Sequence, residues 1–572
     1  MSEVKPDLID VQINGEWHSF PKGTRMIEAC KEVGVEVPHY CYHPKLTSPG
    51  NCRMCLVEMG MPPRPAPGSD PVEPDEDGHV PISWIPRPVI ACANTIAPNM
   101  GIRTESEMTE ECRKGVMELL LANHPLDCPI CDQAGECSLQ EFSVEHGKGE
   151  SRFREQKVKK PKNVEIGPRI RLDDERCIMC SRCIRFMDEI ADQPVLGFTD
   201  RGSHTTLTIH PGHELTSNYS LNTADLCPVG ALTSNDFRFQ MRVWFMKETK
   251  TIDVNCATGA NITVFAREGK IYRVIPRQNN NVNSNWMPDS HRLNIHWINS
   301  EARLTDPLVR DEKSGNHRVA TWNGAMQTSA DALLKLDGSE IAVIGSARMT
   351  NEELLITNRL AKQLDAGHVD VVAREGEPDG YLISADRNPN SNGAKLILGL
   401  ENPGSTIDQI REGIAQGRIK ALVCLQENII DDAGFSADEL AKLDFFLTSY
   451  PLANATAEVA DVVLPGACWA EKSGTMVNGT GRLQRLNKCI EGPGQTLEAW
   501  EIVRDLIQAL GGGNGIYAAT ELFAQLAGEV PEFEGITFGQ IGDLGLPLIE
   551  TDERIPLLER EAERKAQGLI VG

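Results

Sequence analysis

Eleven of the seventeen cysteines and one histidine fall into three tight groups within the first 230 residues. A chain that must gather them has little freedom in how that part folds. The first group is Cys41, Cys52, Cys55 and Cys92; the second is His124, Cys128, Cys131 and Cys137; the third is Cys177, Cys180 and Cys183, with Cys227 after a long gap. Cysteines crowded into CxxC pairs have the spacing of metal ligands, not of a disulfide framework. Thiolates at these intervals suit iron–sulfur clusters. Three such clusters in one chain make a path for electrons.

The rest of the composition narrows the setting. At 572 residues the chain needs more than one core, and three to five domains are expected. The opening MSEVKPDLIDVQING is acidic and polar, which reads as neither a secretory signal nor a basic transit peptide. Clustered thiols then point to a reducing cytoplasm. No run of eighteen apolar residues occurs, so no bilayer span is expected. A net charge of −25 argues against a nucleic-acid partner, since phosphate binding wants a basic surface. One stretch is locally basic, from Lys157 through Lys159, Lys160, Lys162, Arg169, Arg171, Arg176 and Arg182 to Arg185. It reads as a solvated face, as compensation beside an anionic thiolate cluster, or as a dock for an acidic partner.

Local patterns fill in the elements. Residues 8–20 alternate apolar and polar and break at Asn14-Gly15, which predicts a hairpin with a tight turn. Thr24 ahead of Met26-Ile27-Glu28-Ala29-Cys30 predicts a short capped helix. Residues 61–81 are rich in Pro, Asp and Glu and read as a surface insertion. A helix is expected over 106–123, with Met108, Cys112, Val116, Leu119 and Leu120 on one face and His124-Pro125 ending it. Beyond about residue 245, strands at Ile341–Ile344, Ala421–Leu425 and Phe445–Thr448 alternate with helices, one capped by Thr350 with Glu353. That alternation predicts an α/β region built on a mostly parallel sheet.

Each group admits a zinc reading as well. A CxxC pair with two distant cysteines fits a tetrahedral zinc site, but the hairpin and helix ahead of the Gly50 loop favour a 2Fe–2S ferredoxin-type fold. Cys92 is the ligand that spacing alone ties least closely, because the insertion lengthens its gap. His124 precedes three cysteines at ligand spacing and is read as an iron ligand, with a zinc site of three cysteines and one histidine as the alternative. In the third group the run Cys177-x2-Cys180-x2-Cys183 lacks the further cysteine of two-cluster ferredoxins, since Met187 stands there, so Cys227 closes a single 4Fe–4S site.

Four segments, HYCYHP, GNCRMCLVE, GVMELLLANHPLDCPICDQAGECSLQ and ERCIMCSRCIRF, resemble the large iron–sulfur subunit of respiratory complex I, the NADH–quinone oxidoreductase. The resemblance is specific over the first 245 residues. It continues more weakly behind them, where ATAEVADVVLPGACWAEKSGTMVNGTGRLQR resembles molybdopterin oxidoreductases. It implies one 2Fe–2S cluster on the first group, a 4Fe–4S cluster on His124 and its three cysteines, and another on the third group. Some bacterial members carry a further cluster just beyond, but here Cys256 stands alone in IDVNCATGANITVFAREGKIYRVIPR, so no fourth cluster is expected. Cys30, Cys112, Cys256, Cys424, Cys468 and Cys489 read as buried small hydrophobes. No metal ligand for molybdopterin can be assigned, and no molybdopterin is expected.

The implied fold is an α+β front of ferredoxin-type (β-grasp) and cluster-binding domains, followed by an α/β molybdopterin-oxidoreductase-like region without cofactor. Its boundaries are 1–100 for the 2Fe–2S domain, 101–150 for the 4Fe–4S domain with a histidine ligand, and 151–245 for the all-cysteine, ferredoxin-like 4Fe–4S domain. A cluster-less domain takes 246–304, and a truncated α/β region takes 305–572. The implied role is electron transfer from a flavin- and NADH-binding subunit toward quinone, through a ferredoxin-like subunit. The setting is the peripheral arm of a membrane complex on the cytoplasmic side of a bacterial inner membrane. No G-x-G-x-x-G opens a helix after a strand, so neither NADH nor quinone is expected to have a complete site in this chain. The alternatives are the iron–sulfur subunit of an NAD-linked hydrogenase or formate dehydrogenase complex, or a zinc-stapled scaffold.

These ligand sets hold about ten iron atoms per chain, two on the first group and four on each of the others. Iron and sulfide analysis of anaerobically purified protein should return that count. A reproducible value near fourteen would mean that a fourth cluster exists and that the stretch after residue 250 is misread.

Overall fold

The computed structural model describes residues 7–64, 73–513 and 515–571. They form two compact units, one from Met1–Trp244 with Arg560–Gly572, the other from Phe245–Glu559.

The first unit opens with the expected hairpin. Strands β1 (Leu8–Ile13) and β2 (Glu16–Pro21) pair antiparallel across Asn14 and Gly15, whose φ angles of 48° and 97° give the left-handed pair that a two-residue turn demands. Alternation puts Ile9, Val11 and Ile13 inside and leaves Leu8 exposed. They meet Met26, Ile27 and Cys30 of α1 (Met26–Glu32) in one core. That helix begins at Arg25 without a side-chain cap, because the Thr24 hydroxyl donates instead to the Pro21 carbonyl at 2.7 Å. Strands β3 (Leu56–Met61), β4 (Ser83–Trp84), β5 (Val89–Ile90) and β6 (Met100–Arg103) complete the sheet in the order β2-β1-β6-β3-β4, with β5 also on β3. Within the insertion, residues 65–72 lie outside the described residues, and Glu73–Gly78 are exposed as expected.

Helix α2 (Glu107–Ala122) matches its expected span, but its buried stripe is Thr109, Arg113 and Met117. Leu119 is 79% exposed, and Cys112 is only partly buried. The apolar periodicity misled here because polar Thr109 and Arg113 occupy the inward positions. Helices α3 (Ser138–His146) and α4 (Arg182–Glu189) follow, with two small sheets. The segment Arg560–Gly572 belongs to this unit, although no sequence signal links it there. Lys45 and Glu561 form an ion pair at 3.0 Å with both side chains buried. Arg564 donates to the Glu189 carbonyl at 2.6 Å and pairs with its carboxylate.

The second unit is built on a seven-stranded sheet. Its order is His317–Val319, Leu308–Arg310, Val462–Pro465, Phe445–Tyr450, Ala421–Leu425, Ile341–Gly345, His368–Val371. The last five strands run parallel and the first two add antiparallel, as the α/β alternation predicts. Thr350 caps the helix Asn351–Gln363, with Glu353 bonding back to the Thr350 amide, so the expected capping box forms. Cys256, Cys424, Cys468 and Cys489 are buried. Among the described residues no helix is long and apolar enough to cross a membrane.

Leu447 is fully buried in the central strand between Val423 and Val462. Leu447→Ala should cost about 2–5 kcal/mol, because a packed sheet interior cannot collapse onto the void. Denaturant unfolding of the variant against the parent measures the difference.

Candidate metal centres

The first group converges in the loop between α1 and β3. Cys41 lies within hydrogen-bonding reach of Cys52 and Cys92, and Cys55 within reach of Cys92, so all four thiols meet. Gly50 and Arg53, with φ of 60° and 62°, make the left-handed turns that fold the loop inward. Any Cβ on Gly50 would come within 2.6 Å of Ile90. Amides follow the sulfurs: Cys52 receives the N–H groups of Cys41 and Met54, and Cys55 that of Cys92. Cys92, the ligand weakest from spacing, is fully buried among the others.

In the third group, Cys177, Cys180, Cys183 and Cys227 line one cavity with Leu207, Val229 and Leu232. Met179 and Ser181 have φ of 56° and 62°, and this alternation turns successive amides toward sulfur. Met179 donates to Cys177, Arg182 to Cys180 and Ile184 to Cys183; Cys227 receives Val229, Ala231 and Leu232. Burial pushes the Cys227 thiol up to about 11 and Cys183 well above its ordinary value. Only a bound cation reverses that preference and keeps such sulfurs ionised.

The second group is more open. Cys137 stands at the N-terminus of α3 and receives the amides of Gln140 and Leu139, the position where a helix favours negative charge. Cys128, Cys131 and Cys137 feel one another's charge. His124 follows α2, and its imidazole is pushed down to about 4 by burial first, then by Lys157 and Arg176. A neutral imidazole is the form that binds metal. Among the described residues, no three His, Cys, Asp or Glu side chains converge at single-ion spacing.

Contacts between the groups give an order that the sequence did not. Arg182 donates to the Tyr42 carbonyl at 2.5 Å, and Arg185 to the backbone carbonyls of Cys41 at 2.5 Å and Cys180 at 3.4 Å. Asn51 donates to the Met179 carbonyl at 3.2 Å. First and third groups are therefore neighbours. The turn Cys227-Pro228-Val229-Gly230 joins third to second: the Cys137 thiol faces the Pro228 carbonyl at 3.8 Å, and a Cβ on Gly230 would meet the Cys131 sulfur at 2.2 Å. The third group thus lies between the other two. Arg182 and Arg185 are buried among these sulfurs, while Arg176 spans Asp127 and Asp173 beside the second. Arg176, Arg182 and Arg185 of the basic stretch compensate thiolate charge, whereas Lys159, Lys160 and Lys162 pair with Glu175 and Asp174. Sequence reasoning missed Gly230 as a site residue, and the Cys-Pro-Val-Gly turn was its only signal.

Family models match along the chain in register with these centres. They are a 2Fe-2S iron-sulfur cluster binding domain at residues 7–107, the NADH-ubiquinone oxidoreductase-G iron-sulfur binding region at 113–152, and the NADH-quinone oxidoreductase subunit 3 ferredoxin-like domain at 167–233. An NDSU1/NuoG-like 4Fe-4S domain matches at 246–296, where Cys256 is the one cysteine, and molybdopterin oxidoreductase matches at 366–509. The mitochondrial NADH-ubiquinone oxidoreductase 78 kDa subunit of Neurospora crassa is 38% identical over 70% of this chain and 50% of its own length. The corresponding subunit of Candida albicans is 30% identical over 88% of this chain and 82% of its own. The NADH-quinone oxidoreductase G subunit of Rickettsia felis is 36% identical over 64% of this chain and 50% of its own. The chain thus spans about half the length of two of these relatives and most of the third.

Gly230→Ala drives a methyl into the space of the Cys131 sulfur. The variant should lose or strongly shift the low-temperature EPR signal of the second centre while the first centre's signal persists. An unchanged second signal would mean that Cys131 is not a ligand in this position.

Proposed function

The chain belongs to the family of NADH-ubiquinone oxidoreductase 78 kDa subunits and their bacterial NADH-quinone oxidoreductase counterparts, and from that premise we propose that it is an electron-transfer subunit of proton-pumping NADH–quinone oxidoreductase. The observation that carries the reading is the arrangement of three thiol groups in one compact unit, the third held between the other two by Arg182, Arg185 and the Cys227–Gly230 turn.

The donor sets fit iron–sulfur clusters. Cys41, Cys52, Cys55 and Cys92 would hold a 2Fe–2S cluster. His124, Cys128, Cys131 and Cys137 would hold one 4Fe–4S cluster, and Cys177, Cys180, Cys183 and Cys227 another. Such clusters, when bound, supply one-electron storage. The residues do the rest. Inward amides and buried guanidiniums offset thiolate charge, which is what sets a cluster's readiness to accept an electron. Apolar neighbours such as Leu207, Val229 and Leu232 keep water from the third group.

The finer assignments follow the same reasoning. The reading without a fourth cluster is supported by Cys256 being the one cysteine of residues 246–304, its thiol facing the Leu382 carbonyl at 3.8 Å. For molybdopterin, no residue of the α/β region can be assigned as a ligand of its metal, which supports a reading without that cofactor. The second unit then serves as scaffold. Partners would be a flavoprotein that oxidises NADH and a ferredoxin-like subunit in the peripheral arm on the cytoplasmic side of a bacterial inner membrane. Exposed Leu126 and Ile130 flank exposed Cys128, a face suited to docking the ferredoxin-like partner beside the second group.

NADH should reduce the three EPR signals of the cluster-loaded chain only after a flavin-bearing partner is added. Rapid reduction of the isolated, flavin-free chain would sink the carrier reading. Iron and sulfide absent in favour of zinc would replace it with the scaffold.

A further inference from the structure

The cavity in the second unit lies at the carboxyl ends of three neighbouring parallel strands. Arg348 follows Ile341–Gly345, Gln426 follows Ala421–Leu425, and Tyr450 ends Phe445–Tyr450. The chain's winding reverses at Ile341–Gly345: the next strand, His368–Val371, lies to one side, and Ala421–Leu425 lies to the other. Open α/β sheets bind ligands in the crevice at such a switch point. Trp297 and Trp469 add aromatic wall, and Lys472 adds a second cation.

The polar groups around this space are unevenly satisfied. The Arg348 guanidinium forms no hydrogen bond and no ion pair among the described residues, and its Nε is fully buried. The carboxylates whose charge reaches it, Glu427 and Asp432, are both held by Arg374, through Glu427 Oε1 at 2.9 Å and Asp432 at 2.6 Å. Lys472 is paired with Glu353 at 2.6 Å. Gln426 is 7% exposed, its side-chain amide nitrogen has no partner, and its φ of 61° is a left-handed conformation that a non-glycine residue adopts at a cost. Arg348 thus faces the cavity with no hydrogen-bond partner of its own, while the carboxylates nearest it in charge are engaged by Arg374.

We infer that this cavity binds a small oxyanion, a phosphate ester or carboxylate with a flat apolar body, gripped by Arg348 and covered by Trp297 and Trp469. The volume of about 290 Å³ suits one compact molecule. The site uses none of the twelve cluster ligands, so it stands or falls apart from the electron-carrier reading.

Phenyl phosphate and benzoate serve as probes, with inorganic phosphate as the bare anion, on the full cluster-loaded chain. Isothermal titration should show saturable binding of phenyl phosphate or benzoate, and whichever binds tighter identifies the head group. Inorganic phosphate should bind at least about tenfold more weakly, since it cannot use the aromatic wall. Arg348→Gln should weaken the preferred probe by about tenfold or more, the loss of a charge-assisted hydrogen bond. Arg348→Lys should fall between the two. Tryptophan fluorescence should change on binding, and cluster EPR signals should not. Should Arg348→Gln fail to fold, Arg348→Lys reads the loss of the guanidinium instead. Failure of both organic probes to bind, or affinity unchanged in every variant that folds, would overturn the proposal.

Discussion

Ionised sulfur buried in protein is the constraint on which the cluster-bearing unit depends. Eleven thiols gathered at three points resist ionisation, first because they are buried and then because they would repel one another, as the upward shifts of Cys183 and Cys227 register. The unit offsets this twice over. Left-handed residues at Gly50, Arg53, Met179 and Ser181 turn backbone N–H groups toward sulfur. Buried Arg182 and Arg185 then bring positive charge to the seam between the first and third groups. Those arginines also bond to backbone carbonyls on both sides, so the groups that compensate charge are the ones that fix spacing.

The arrangement of the three groups follows from the same contacts. Along the chain the groups run first, second, third, whereas in space the third is central. The Cys227–Gly230 turn makes this possible because one short segment serves two centres: Cys227 faces the third, and Gly230 has no side chain to collide with Cys131 of the second. The C-terminal segment tightens the same region. Glu561 pairs with Lys45 in the loop between Cys41 and Cys52, and Arg564 holds Glu189, which accepts the Thr47 amide at 2.9 Å.

The second unit runs on different physics. Its parallel strands are buried on both faces and packed by apolar residues such as Val343, Val423 and Leu447. Its cavity lies where the sheet topology reverses, with an arginine there whose Nε has no hydrogen-bond partner among the described residues.

Sequence alone determined the ligand spacings, and with them the convergence of Cys41, Cys52, Cys55 and Cys92 and of the third group. Spacing within a loop is a local property, and loops bearing CxxC can close in few ways. It also determined the hairpin at Asn14-Gly15, the Thr350–Glu353 capping box and the parallel sheet, since each rests on neighbours in the chain. Only the tertiary structure decided the inward face of α2, where Arg113 and Thr109 lie inside and Leu119 faces water. Periodicity reports which residues are apolar, and burial there is set by what packs against the helix. Tertiary structure also decided the central place of the third group, the need for glycine at 230, and the return of Arg560–Gly572 to the first unit. These depend on contacts between residues far apart in the chain, and no local pattern encodes them.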